Sequence, residues 1–271
     1  MNDRIKIDIK DGVADVRLIR ADKMNALDDA MFAALIEAPE KLSADKSVRA
    51  VVLSGEGRAF CAGLDTGNFA RMAAGEKSSN SSVTGGLSAR SHGIANRAQQ
   101  AVWGWRNLRV PVITAAHGVA LGGGFQLFLG SDIRFVHPDT KLSILEVKWG
   151  LVPDMSSTAI MKHLVREDII RELTYTGRIF SGAEAVEYGF ATHSSENPHN
   201  DAMALALEIA KKSPSAVQAA KLIYNTLPDL DEAAALQLES DKQTELMGSP
   251  NQVEAVKAGL EKRDGNFSDT F

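Results

Sequence analysis

Two glycine-bearing segments are the parts of this chain best suited to chemistry: AFCAGLD, Ala59 to Asp65, and HGVALGGGFQL, His117 to Leu127. Each follows a run that reads as a buried strand, one ending at Leu53 and the other near Ala116. Glycine lets a backbone approach a ligand closely, and a helix opening just after the turn presents main-chain N–H groups that have no intrahelical partner. Two such turns converging on one oxygen would form an oxyanion hole, in which each donor is typically worth about 2.7 to 4 kcal/mol of transition-state stabilisation. The same glycines also fit a packing role, in which they only let strand and helix approach, and the spacing leaves both readings open. A dinucleotide or phosphate loop is excluded, because Gly122 to Gly124 belongs to no GxGxxG and no Lys-Ser or Lys-Thr closes a Walker pattern.

Other reactive constellations fail on the same kind of test. The 6 histidines form no cluster at metal-ligand spacing, and His117 reads as a satisfied loop residue. No serine occupies a GxSxG elbow, and Ser156-Ser157 lacks a recognisable base. Cys61 is the single cysteine, which rules out an intramolecular disulfide and a cysteine-based zinc cluster and reads as a small buried hydrophobe.

The elements that must hold these turns alternate between extended and helical patterns. Residues 4 to 9 and 13 to 19 predict a hairpin closed by Asp11-Gly12. A helix is predicted from about Asp28 to Lys41 on the stripe Ala30, Met31, Ala34, Leu35 and Ala38, with Pro39 expected to bend it or end it early. Val48 to Leu53, Val110 to Ala116 and Ile133 to Val136 read as strands buried on both faces, so parallel pairing with helical crossovers, an α/β body, is expected. Residues 75 to 86, GEKSSNSSVTGG, predict a mobile loop, followed by a helix from about Ser91 to Leu108 whose Trp103 and Trp105 belong to the core or a pocket wall. After Gly189 four helical patterns follow, at about 200 to 212, 215 to 225, 229 to 246 and 250 to 263, punctuated by Ser213-Pro214, Leu227-Pro228 and Ser249-Pro250. They could cap the α/β body or pack against another subunit.

Bulk properties narrow the partners. A length of 271 residues allows one large domain or two small ones, and 44% hydrophobic residues suffice for a substantial core. The 30 basic and 35 acidic residues are spread without long like-charge runs and give a formal charge of −5, which argues against nucleic acid. The start, MNDRIKIDIK, lacks the apolar stretch of a secretory signal, and no segment reaches the roughly 18 uninterrupted apolar residues of a membrane span. A cytoplasmic protein with no membrane partner is expected.

The stretches DKMNALDDAM, AFCAGLD, PVITAAHGVALGGGFQLFLGSDI and LEVKWGLVPDM, followed by YTGRIFSGAEAVEYGFAT, resemble in order and spacing the enoyl-CoA hydratase and isomerase family, the crotonases. The resemblance covers nearly the whole chain. It implies a spiral of ββα units over residues 1–195 that carries a CoA-ester site, and a C-terminal helical trimerisation region over 196–271. It also implies a homotrimer, often paired into a hexamer, and an acyl-CoA thioester as the partner, with coenzyme A entering as part of the substrate and no separate cofactor. Carried over position by position, it places the oxyanion amides at Leu64 and Gly123. Ala62, Asp65, Thr66 and Gly122 would line the same pocket, and Lys23 and Ala26 would lie at the nucleotide end. Lys23 also fits an ordinary solvated lysine.

The family's hydratases use two glutamates, and the position of the first is Gln126 here, whose amide cannot take up a proton at physiological pH. The second is Glu146, set among Ile144, Leu145, Val147 and Trp149, an apolar setting that raises a carboxyl pKa toward the operating range of a general acid or base. It also fits a solvated strand-end carboxylate. Asp154 matches an aspartate that dienoyl-CoA isomerases pair with the Glu146 position, although a helix N-cap is an alternative role for an aspartate after proline. The family's dienoyl isomerases carry an aspartate where Gln126 stands, so this match is incomplete. The resemblance therefore favours an enoyl- or dienoyl-CoA isomerase with Glu146, Asp154 and Gln126 in the catalytic group. A one-glutamate enoyl-CoA hydratase and a non-catalytic acyl-CoA-binding protein are the alternatives.

Overall fold

The computed structural model describes residues 3–68, 74 and 86–269. The predicted mobile loop at 75–86 lies outside the described residues except for Gly86, which opens a short 3-10 turn reaching Ser88. Strands β1 (Ile5–Lys10) and β2 (Val13–Leu18) form the expected antiparallel hairpin. Its two-residue turn needs positive φ at both positions, and Asp11 (φ 53) and Gly12 (φ 78) supply it. Strands β3 (Ala50–Gly55), β4 (Val112–Ala116) and β6 (Ile133–Val136) follow as parallel neighbours, and β9 (His193–Ser194) closes a six-stranded sheet of order β1-β2-β3-β4-β6-β9. The central strands β3 and β4 are buried over almost their whole length, which explains their mostly apolar composition.

A second, three-stranded sheet runs β5-β7-β8, from β5 (Val119–Leu121), β7 (Lys141–Ser143) and β8 (Phe180–Ser181). Strands β4 and β5 are consecutive but lie in different sheets, and so are β6 and β7. From β4 to β7 the chain thus alternates one strand in the large sheet with one in the small sheet, and this repetition belongs to the spiral of ββα units. The small strands were not legible in the sequence, because two or three residues are too few to display a period of two.

Helix α1 (Asp29–Ala44) is N-capped by Asp28, whose carboxylate accepts from the Met31 N–H at 2.8 Å. Contrary to the sequence expectation, Pro39 neither ends nor shortens it: the helix runs five residues past the proline. Pro39 is buried against α2 (Arg97–Arg106), where Gly104 leaves room for the ring; a Cβ there would lie 3.1 Å from Pro39 Cγ. Tertiary packing offsets the lost main-chain hydrogen bond. Helix α2 also starts later than predicted, at Arg97, because Asn96 and Gln99 form a capping box there. Trp105 is fully buried and Trp103 packs on the core margin, as expected.

Helix α3 (Gly123–Leu129) is buried in the core between β5 and β6, and α4 (Ser157–Met161), α5 (Glu167–Thr176) and α6 (Gly182–Tyr188) follow along the chain. The four C-terminal helices are α7 (Pro198–Ala210), α8 (Pro214–Thr226), α9 (Glu232–Leu246) and α10 (Pro250–Glu261). Three of them carry proline in their first turn, where its missing N–H costs nothing. Helix α7 covers one face of the large sheet, burying Ala202, Ala206 and Ala210 against Val13, Val52, Ile113 and Phe135. Helices α9 and α10 instead leave Leu236, Val256 and Leu260 exposed.

Candidate active site

The two glycine turns are joined by a short ladder. Phe60 N–H donates to His117 O at 2.9 Å, Cys61 N–H to Val119 O at 3.1 Å, and Leu121 N–H back to Cys61 O at 3.1 Å. Buried Asn25 clamps the first turn from behind, its Nδ2 donating to Ala59 O at 2.9 Å and Glu56 O at 3.0 Å. Cys61 Sγ donates to Asn25 O at 3.1 Å, and burial pushes its thiol up to about 12, so it is held as a packing residue.

Leu27 fixes the direction of the next residues. Its N–H donates to Gly63 O at 2.8 Å and its carbonyl accepts from Asp65 N–H at 3.1 Å. In an extended segment the residue between such a pair turns its N–H the other way, so Leu64 N–H faces away from Leu27. Among the described residues neither Leu64 N–H nor Gly123 N–H donates to any protein acceptor. The two turns are close: a Cβ on Gly63 (φ 86) would lie 3.6 Å from Gly123 N and would strike the Leu121 carbonyl. Gly123 is the first residue of α3, where an N–H has no intrahelical partner. Two unpaired amides on facing turns can hold one oxygen.

Both amides border a cavity of about 460 Å³. Ala62, Gly63, Leu64, Thr66 and Gly122 to Gly123 form one side of it. Leu27, Phe32, Leu87, Ala98, Trp149, Leu151, Val152 and Met155 form its apolar walls, and Gln126, Glu146 and Asp154 are its polar side chains besides Thr66. Glu146 reaches this place through the small sheet. Strand β7 pairs with β5, Gly122 N–H donates to Ser143 O at 3.0 Å, and the chain then turns into a 3-10 segment beginning at Glu146. A Cβ on Gly122 would lie 3.4 Å from Glu146 Oε1. Glu146 is therefore buried beside the second turn and is not the solvated strand-end group that the sequence left open.

Its electrostatics follow from that position. Burial raises the Glu146 carboxyl above its ordinary value, against the Gln126 hydrogen bond, and the negative field of Asp154 adds to the rise. Asp154 lines the cavity while remaining exposed to solvent, and partial desolvation by the flanking residues raises its carboxyl above the ordinary value. Asp154 caps no helix, since the residue before α4 is Ser156. Gln126 Nε2 donates to Glu146 Oε1 at 2.7 Å, while its Oε1 accepts from Met155 N–H at 2.7 Å and Ser157 Oγ–H at 2.8 Å. Among the described residues Glu146 Oε2 is buried without a hydrogen-bond partner.

Three sequence candidates stand apart from the cavity. The Asp65 carboxylate turns to Gly67 N–H at 2.8 Å and Arg20 Nη1 at 2.6 Å, and these hold it below the usual range, so it braces the turn without lining the cavity. Lys23 is exposed in a 3-10 turn, and Ala26 is buried next to Leu27; neither lines the cavity. His117 Nε2 lies 2.9 Å from Gly57 O, and among the described residues no cluster could hold a metal. Also among the described residues, no helix is long and apolar enough to cross a membrane. Asn25, Leu27, Met155 and Ser157 were missed from the sequence, because each acts by touching a turn that is distant along the chain or reversed in direction.

Residues 8–270 match the model of the enoyl-CoA hydratase/isomerase family. The chain is 30% identical to the mitochondrial Delta(3,5)-Delta(2,4)-dienoyl-CoA isomerase of Mus musculus, over 93% of this chain and 77% of that protein. It is 29% identical to the mitochondrial methylglutaconyl-CoA hydratase of the same species, over 94% of this chain and 79% of that protein. A crystal structure of an enoyl-CoA hydratase from Mycobacterium smegmatis superposes with a TM-score of 0.82 at 28% identity, covering 97% of this chain and 98% of that one.

Proposed function

The chain belongs to the enoyl-CoA hydratase/isomerase family, and on that premise we propose that it isomerises unsaturated acyl-CoA thioesters, with a 3,5-dienoyl-CoA as the favoured substrate. The thioester oxygen accepts from the Leu64 and Gly123 N–H groups, which stabilises the charge that develops when a proton leaves the adjacent carbon. Glu146, beside the Gly122 turn, takes that proton from C2. Asp154 delivers a proton to C6 at the far end of the conjugated system, so one C–H bond breaks, another forms, and the 3,5-diene becomes a 2,4-diene. The conversion is redox-neutral and requires no cofactor beyond the coenzyme A of the substrate. Ala62, Thr66 and Gly122 contact the thioester end, and Lys23 and Ala26 lie toward the nucleotide.

The observation that carries this reading is the pairing of Glu146 and Asp154, two carboxyls with raised pKa in one cavity. Hydration requires a second group that deprotonates and positions water, and Gln126 Oε1 already accepts two hydrogen bonds. The same reading includes a homotrimer or hexamer, in which the exposed apolar side chains of α9 and α10, Leu236 and Leu260 among them, meet a second copy.

The deciding experiment offers the purified protein a trans-2-enoyl-CoA, a cis-3-enoyl-CoA and a 3,5-dienoyl-CoA. The expected result is fastest conversion of the dienoyl ester. Rapid hydration of the first with no isomerisation of the other two makes it a hydratase, and binding without turnover of any makes it an acyl-CoA-binding protein.

A further inference from the structure

We infer that Ser157 is a positioning residue for proton transfer: with Met155 N–H it fixes the Gln126 amide, which holds the Glu146 carboxylate by Oε1. A carboxamide oxygen has two lone pairs, and here both are occupied, by Met155 N–H at 2.7 Å and Ser157 Oγ–H at 2.8 Å. A flipped amide would set its NH2 group against two donors, so the orientation is fixed. The amide nitrogen then faces Glu146 Oε1 at 2.7 Å. Gln126, Ser157 and Glu146 are 1%, 0% and 9% exposed, so bulk water does not replace these bonds.

The backbone converges on this acceptor by a local reversal. Ser156 adopts φ 72, an uncommon value for a residue other than glycine, and brings a main-chain donor from one side and a side-chain donor from the other onto one oxygen. Ser156 Oγ–H is itself tied to Gln99 O at 3.2 Å, which ties the reversal to α2. The two oxygens of Glu146 are thereby made unequal. Oε1 is hydrogen-bonded to Gln126 beside Gly122, whereas Oε2 is buried with no hydrogen-bond partner among the described residues. Among the described residues the Gln126 bond is thus the one side-chain hydrogen bond that holds this carboxylate, and the Glu146 side chain lines the cavity.

The test titrates the Glu146 side-chain carboxyl by 13C NMR in the full-length protein, its signal identified by its loss in Glu146→Gln. Ser157→Ala removes one donor from the amide, so the amide holds the carboxylate more loosely, and the Glu146 titration is expected to move upward. Ser157→Thr, which keeps the hydroxyl, is expected to restore it. On an unsaturated acyl-CoA, kcat of Ser157→Ala falls by about three- to tenfold, the weight of one net hydrogen bond, with KM little changed and the ascending limb of the pH–rate profile moved upward. This kinetic half rests on the isomerase reading, whereas the titration does not. An unchanged Glu146 titration in folded Ser157→Ala overturns the positioning role. A shifted titration in a protein that isomerises nothing supports the positioning role and overturns the reaction assigned above. Should Ser157→Ala not fold, Ser157→Cys, similar in volume and weaker as a donor, gives the same readout.

Discussion

Glu146 and Lys221 are both buried ionisable side chains, and the chain treats them in opposite ways. Lys221, on α8, is 7% exposed, and its Nζ donates to Val110 O and to Asp132 Oδ2, each at 2.8 Å. Asp132 is held in turn by Val112 N–H at 2.7 Å, so the ammonium and its counter-ion staple the helical region to the start of β4. Burial lowers the Lys221 pKa and the carboxylate opposes the shift. A second cavity, of about 560 Å³, lies beside it among residues 107–109, α8 and α9, lined mainly by polar side chains. Glu146 has no cation beside it among the described residues: the Gln126 amide is the side chain that donates to it, and its Oε2 has no hydrogen-bond partner there. Comparable burial thus accompanies an answered charge at Lys221 and, at Glu146, a carboxyl left one partner short, the setting in which the proposed proton transfer would take place.

Substitutions at the two sites should separate these roles. The largest expected effect is that of Glu146→Gln, which keeps the shape of the side chain and removes the base; kcat on the dienoyl ester should fall by roughly 10³-fold, the middle of the range for a general acid–base group. Retention of more than a tenth of the activity would mean that the proton travels elsewhere. Lys221→Met should do the reverse. It leaves the Val110 carbonyl and Asp132 short of a donor and should cost roughly 2 to 4 kcal/mol in denaturant unfolding, discounted because Asp132 is partly solvated, while activity per folded molecule stays near wild type.

Asp154→Asn tests whether the second carboxyl shares the chemistry. Isomerisation of the dienoyl ester should drop by about 10²-fold, whereas solvent exchange of the C2 proton of a saturated acyl-CoA, which needs only Glu146 and the two amides, should persist. Equal loss of both reactions would assign Asp154 to the pocket structure. The smallest effect concerns pH and stability. The folded-state pKa of Glu146 is raised above its ordinary value of 4.5, so the folded protein holds that proton more tightly than the unfolded chain does. Its stabilising contribution is fully present below the ordinary value and is lost as pH rises through the raised one. Glu146→Gln should therefore gain stability relative to wild type across that window, visible as a Tm difference that grows with pH. A constant difference would show that Glu146 keeps its ordinary pKa in the fold.

Much of this site was legible as composition along the chain. Both glycine turns, the apolar setting of Glu146 and the absence of a base at Gln126 are local facts, and the resemblance over the whole chain placed them in one fold. Asp65 shows where that reading stopped. It sits inside the motif AFCAGLD, yet Arg20, from the end of the first hairpin, draws its carboxylate away from the cavity. Pro39 shows the same limit in the scaffold, because its effect on α1 depends on Gly104 in a helix far along the chain.

By itself the sequence determined the alternation of buried strands and helices, the places where the backbone can come close to a ligand, and the supply of titratable groups, since periodicity, glycine and residue type act over a few neighbours. Only the tertiary structure decided that Leu27 turns the Leu64 N–H away from itself, that Gln126 presents its nitrogen to Glu146, and that Asp154 lines the same cavity. Those outcomes depend on hydrogen-bond directions between segments many residues apart, and such directions exist only once the two sheets and their crossovers are packed.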